Sequence, residues 1–201
     1  MIEEEVEEKE SIKVILIGDA GVGKTNLINV ASGRKFNENE TSTLSASYVK
    51  KEININGEKY NISLWDTIGQ EKFRSLTKLF FKDSDIVIFV FDITTKETFT
   101  ELEYWFKTIN DELGDGPIKG LAANKQDLFE KQEVDDNTIQ IYAHKKGLKF
   151  KFTTATNPTN FNKLLEELLS DFLKNGTSEK RKKVIGKKLT KKKAKDKKKR
   201  C

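Results

Sequence analysis

Cysteine, histidine and long apolar runs are all scarce in this chain of 201 residues. With one cysteine, Cys201, no intramolecular disulfide can form, and a reduced intracellular setting is expected. One histidine, His144, and no cysteine pair leave too few ligands for a zinc site. No apolar stretch approaches the roughly 18 residues that a membrane span needs. The first residues lack the basic-then-apolar pattern of a secretory signal. His144 falls on the polar face of its expected helix and reads as a solvated surface residue.

Charge of one sign is scarce only locally. Residues 1–10 (MIEEEVEEKE) carry six acids and one Lys, and read as an acidic, disordered segment. Residues 180–201 carry 14 Lys/Arg and one Asp. That tail alone is +13, so the other 179 residues sum to −8 within a total of +5. The picture is an acidic body with a basic tether. The basic character belongs to the tail and implies no specific nucleic-acid partner.

What is present is an alternation of strand and helix patterns. Ser11–Ile17, Ile86–Phe91, Ile118–Ala123 and Leu148–Phe152 read as buried strands. Tyr48–Ile55 and Lys59–Trp65 alternate apolar and polar around Asn56-Gly57, a strong hairpin signal. Helical spacing appears over Lys24–Ser32, Lys96–Leu113, Val134–Lys146 and Phe161–Leu173, with Gly33 and Gly147 as stops. Residues 34–47 form a polar stretch too long for a tight turn. The expected architecture is α/β: a six-stranded, mostly parallel sheet with one antiparallel edge strand and helices on both faces. Ligands of such sheets sit at the carboxyl ends of the strands. The boundaries read as 1–10, a domain over 11–174, and a tail over 175–201.

The first strand runs into Gly18-Asp19-Ala20-Gly21-Val22-Gly23-Lys24-Thr25, which matches G-x-x-x-x-G-K-[ST] ahead of a helix. Glycines let backbone N–H groups turn inward toward phosphate oxygens. Lys24 adds a point charge for β and γ phosphates, and the Thr25 hydroxyl suits Mg²⁺. Residues 65–71, WDTIGQE, end another strand on the same sheet edge. Asp66 is placed to hold the metal, Gly69 to offer an N–H to a γ-phosphate, and Gln70 to orient a water. Asn124-Lys125-Gln126-Asp127 follows a third strand. Asp127 can accept from two adjacent guanine N–H groups, which adenine lacks. Asn124 braces the loops, and the Lys125 stem can lie over a purine.

Together GDAGVGKT, WDTIGQE and NKQD resemble the Ras-superfamily small GTPases over about residues 11–174. Trp65 and the general layout resemble the Rab branch. Residues 43–48 (TLSASY) resemble the first switch of its early-endocytic group. The resemblance implies a P-loop GTPase domain that binds GTP or GDP with Mg²⁺ and acts as a switch in vesicle trafficking. It makes Thr43 the switch threonine, a metal ligand with Thr25 and Asp66. It makes Lys24 and Gln70 the catalytic pair. Tyr48, Trp65 and Phe80 match the aromatic patch facing effectors, exchange factors and activating proteins, with Phe81 competing for the third place.

Three departures from the family stand out. Ile68 replaces an alanine beside Gln70, and a displacement of about 1 Å there can cost on the order of 10²-fold in rate. Slow hydrolysis is therefore expected. Arg34 and Arg74 have no special claim to act as an arginine finger. Thr154-Ala155-Thr156 stands where the family has Ser-Ala-Lys. Ala155 can still donate to the guanine carbonyl, but the lysine over the base is missing, so faster nucleotide release is expected. The tail ends in a single cysteine, Cys201, rather than a pair. One lipid there plus the lysines would suffice for an anionic membrane surface, and the alternative is an unmodified tail. The expected location is cytoplasmic, peripheral on the cytosolic face of an endomembrane. A second reading is a hydrolysis-poor, nucleotide-bound module of a larger assembly, such as a cytoskeletal one, tethered by its tail.

Overall fold

The computed structural model describes residues 11–37, 43, 47–67 and 77–175. Six strands form one sheet in the order β2-β3-β1-β4-β5-β6. They are β1 (Ile12–Ile17), β2 (Ser47–Ile55), β3 (Glu58–Asp66), β4 (Ile86–Asp92), β5 (Ile118–Asn124) and β6 (Lys149–Phe152). Every pairing is parallel except β2 with β3. That hairpin closes through Asn56 at φ 52° and Gly57 at φ 80°, the positive dihedrals its sequence anticipates. The expected six-stranded sheet, parallel but for one edge, is what forms.

β4 shows why its residues are uniformly apolar. Ile86, Ile88 and Val90 join the core on one face, and Val87, Phe89 and Phe91 join that on the other. A parallel strand covered on both faces has no solvent side to make polar. On the first face lie α1 (Lys24–Ala31) and, late in the chain, the long helix Thr159–Asn175, which contributes Phe161, Leu164, Leu165, Leu168, Leu169 and Phe172. On the second lie α2 (Lys96–Thr100), α3 (Leu102–Leu113) and α4 (Asp136–Lys145), which seat Leu102, Trp105, Ile109, Ile139 and Ala143. The helix Thr159–Asn175 is α5.

Two helices differ from the sequence expectation. The pattern over 96–113 is two helices, bent at Glu101. The ladder survives the bend, since Glu101 N–H donates to Glu97 O (3.0 Å) and Trp105 N–H to Glu101 O (3.2 Å). Threonine hydroxyls compete for carbonyls just before it: Thr98 Oγ1 donates to Thr95 O, and Thr100 Oγ1 to Lys96 O. The helix expected from Val134 begins at Asp136 instead, because Asp135 caps it by accepting the Thr138 N–H at 2.9 Å. Val134 and Ile139 are both buried in the second cluster, as a residue before the cap and one in the first turn pack when they staple a helix start. His144 is exposed on α4, as expected. Among the described residues no helix is long and apolar enough to cross a membrane.

Because β1, β3, β4, β5 and β6 run the same way, their carboxyl ends share one edge. Register sets Leu16 beside Asp66, Asp92 beside Asn124, and Ala123 beside Phe152. The three motifs, scattered over 110 positions of sequence from Gly18 to Asp127, meet there.

Candidate nucleotide-binding site

The loop Gly18–Gly23 links β1 to α1. At Gly18, φ is 150° and a Cβ would lie 2.0 Å from Val90 O; at Gly23, φ is 94° and a Cβ would lie 2.4 Å from Asn124 Nδ2. Neither position admits a side chain, so the backbone packs against β4 and β5 directly. α1 starts at Gly23 with no side-chain cap and no acid in its first turn. Its amide dipoles thus offer a positive end to an anion.

Lys24 is 6% exposed, and its Nζ donates to Gly18 O (2.8 Å) and Asp19 O (2.7 Å). Burial lowers its pKa to about 8, with the Asp66 and Asp19 carboxylates opposing that fall. A buried ammonium needs charge partners, and phosphate oxygens would supply them.

Beside it three oxygens from three chain segments touch. Thr25 Oγ1 donates to Asp66 Oδ2 at 2.8 Å, and Thr43 Oγ1 to the same oxygen at 3.0 Å. The two hydroxyls are 2.9 Å apart. All three predicted metal ligands are therefore brought together, two hydroxyls on one buried carboxylate. Hard oxygens of this kind fit Mg²⁺, which takes few protein ligands and keeps its waters. The neighbouring Thr67 Oγ1 donates to Leu16 O at 2.6 Å and fixes the end of β3 against β1.

Asn124 is buried and braces the loops. Its Nδ2 donates to Val22 O at 2.7 Å, and its Oδ1 accepts from Thr153 Oγ1 at 3.1 Å. Lys125 adopts φ 66°, and its Nζ lies 2.6 Å from Asp92 Oδ2. The other Asp92 oxygen accepts from Thr94 N–H (2.8 Å) and Thr94 Oγ1 (2.7 Å). Asp127 accepts from Thr154 Oγ1. Thr156 reaches back to that hydroxyl by its N–H at 3.1 Å and its Oγ1 at 2.8 Å. Ala155 is buried between them. Asp127, Thr154, Ala155 and Thr156, the residues expected to read the base, thus form one connected group.

Away from the loops, Tyr48 stacks on Trp65 at 4.9 Å and 22°, and Phe80 tilts onto Trp65 at 6.3 Å. Phe80 is partly exposed whereas Phe81 is 1% exposed. Phe80 therefore takes the third place in the patch and Phe81 belongs to the core. Ile68, Gly69, Gln70, Arg74, residues 1–10 and the tail with Cys201 lie outside the described residues.

Sequence reasoning missed four contributors. Asp92 holds Lys125, and its signal was an acid ending a wholly apolar strand. Thr153 holds Asn124. Lys13 lies with Nζ 4.7 Å from the Trp65 ring centroid and donates to Lys82 O at 2.7 Å. Trp105, within the helical pattern over Lys96–Leu113, donates its indole N–H to Asp19 Oδ1 at 3.1 Å.

The Ras family model matches residues 13–174. The chain is 37% identical over 164 residues to "Ras-related protein Rab-21" of Homo sapiens, covering 82% of this chain and 71% of that protein. It is 36% identical over 153 residues to "Ras-related protein SEC4" of Saccharomyces cerevisiae, covering 76% and 71%. It is 32% identical over 159 residues to "Ras-related protein YPTC6" of Chlamydomonas reinhardtii, covering 79% and 74%. With a family match over residues 13–174, and relatives 36–37% identical over more than two thirds of their length, the chain belongs to the Ras family of small GTPases as a divergent Rab-type member.

Proposed function

We propose that this protein is a Rab-like guanine-nucleotide switch in vesicle trafficking, with slow intrinsic hydrolysis. The observation that carries the reading is the contact of Thr25, Thr43 and Asp66 oxygens within 3.0 Å, next to a buried Lys24. Thr43 comes from the long polar stretch of sequence after α1, so a ligand gripped at this point also holds that residue. A Mg²⁺ ion there would neutralise charge shared between β- and γ-phosphate oxygens. Thr25, Thr43 and Asp66 would hold it, and Gly18–Gly23 with Lys24 would hold the phosphates.

Phosphoryl transfer asks little of a protein beyond positioning and charge neutralisation. Gln70 orients the attacking water and Gly69 offers its N–H to the third phosphate. Lys24, its ammonium held by Gly18 O and Asp19 O, balances charge on the leaving group. Asp127 reads guanine by accepting from two base N–H groups. Thr154, already hydrogen-bonded to that carboxylate, keeps it aimed. Ala155 offers its N–H to the base carbonyl. Thr156 reaches only a neighbouring hydroxyl and leaves the base less covered than a lysine would.

The switch is read on the Tyr48–Trp65–Phe80 patch, where Tyr48 is 50% exposed and neighbouring Leu79 71%. Effectors, exchange factors and activating proteins dock there. The Lys-rich tail, with or without a lipid on Cys201, draws the acidic body to an anionic endomembrane. Hydrolysis tests the finer part of this reading. In single-turnover assays the wild type is expected to fall below Ile68→Ala. Equal rates would remove Ile68 from the account. A wild type with no turnover at all would favour a nucleotide-locked module.

A further inference from the structure

We infer that Trp105 is a positioning residue for the phosphate loop, acting through Asp19. This rests on the nucleotide-binding reading above and deepens it. Trp105 sits 86 residues from Asp19, near the start of α3, 1% exposed, within an otherwise apolar cluster. A phenylalanine would fill much of that volume without a polar atom. The indole adds one N–H donor, which when buried needs an acceptor. It finds Asp19 Oδ1 at 3.1 Å.

Asp19 is not a neutral choice of acceptor. Its backbone carbonyl takes one of the two Lys24 Nζ bonds, at 2.7 Å, and its carboxylate favours the charged form of that lysine. Fixing the Asp19 side chain fixes the peptide on which Lys24 rests. The other seat, Gly18 O, is held by its close approach to Val90. One seat of the ammonium is thus set by β4 and the other by α3. Loss of the indole bond loosens the second seat. Lys24 then samples positions away from the phosphates, and bound nucleotide leaves faster.

The test is release of a fluorescent GDP analogue from the full chain, in Mg²⁺, for wild type and variants Trp105→Phe, Asp19→Ala, Asp19→Asn and the double Trp105→Phe/Asp19→Ala. A bond to a charged group contributes roughly a factor of ten at this scale. Trp105→Phe is expected to release about tenfold faster than wild type. Asp19→Ala is expected to release about tenfold faster than Asp19→Asn. Both Asp19 variants lose the same charge, but asparagine keeps an oxygen for the indole. The double variant is expected to match Asp19→Ala, since one shared bond cannot be lost twice. Multiplied effects in the double variant would overturn the inference and make Trp105 a packing residue only. If Trp105→Phe fails to fold, the Asp19 pair still decides: equal release from alanine and asparagine would overturn it. A wild type that retains no guanine nucleotide would instead overturn the reading beneath.

Discussion

Asn124→Ala is the substitution whose cost the structure states most directly. The side chain is 1% exposed and ties two loops together through Val22 O and Thr153 Oγ1. Alanine removes both bonds and leaves a buried carbonyl and a buried hydroxyl without those partners. Each such loss costs about 1–3 kcal/mol, so the sum is on the order of 3 kcal/mol. At this domain size, about 2–4 °C of melting temperature follows each kcal/mol. The expected shift is therefore roughly 6–12 °C, read by thermal melting in saturating GDP and Mg²⁺. Thr153→Val removes one of the two bonds and should cost about half as much. Their double variant should fall short of the sum, because the Asn124–Thr153 bond is common to both. An Asn124→Ala melt within 2 °C of wild type would refute the brace.

Two further outcomes follow from single groups. Lys24 has a folded pKa near 8 against an unfolded value of 10.5. Between those values the unfolded chain holds more protons, so stability of the nucleotide-free protein should rise with pH from 8 to 10.5, by on the order of 3 kcal/mol. Urea titrations across that range should show the rise in wild type and not in Lys24→Met. Thr156→Lys restores a stem and charge near the base, and should slow GDP release about fivefold, the equivalent of about 1 kcal/mol; unchanged release would separate Thr156 from base retention.

The parts of the fold that were legible in the sequence are those with local causes. IVIFVF, short and wholly apolar, reads as a strand covered on both faces, and Asn56-Gly57 reads as a tight turn between alternating strands. The phosphate loop and its lysine were equally plain, because G-x-x-x-x-G-K-[ST] between a strand and a helix is a fixed local spacing. Helix ends were less so. Val134 is apolar and in phase, so it reads as helical, yet Asp135 accepts the Thr138 N–H and starts the helix after it. The bend at Glu101 leaves the hydrogen-bond ladder intact and gives no sequence signal. Least visible were pairings between distant positions. Trp105 with Asp19, Asp92 with Lys125 and Lys13 with Trp65 exist because the strand order places their elements side by side. Nothing in the local pattern of either partner announces the other.

Bound-nucleotide content of the purified full-length protein tests the central claim most directly. Denaturation followed by chromatography should release guanosine di- or triphosphate near one equivalent per chain, and excess adenosine triphosphate should fail to displace it. A protein free of guanosine nucleotide, or one that exchanges it as readily for the adenosine form, would contradict the reading of Asp127 and of the loops gathered around Lys24.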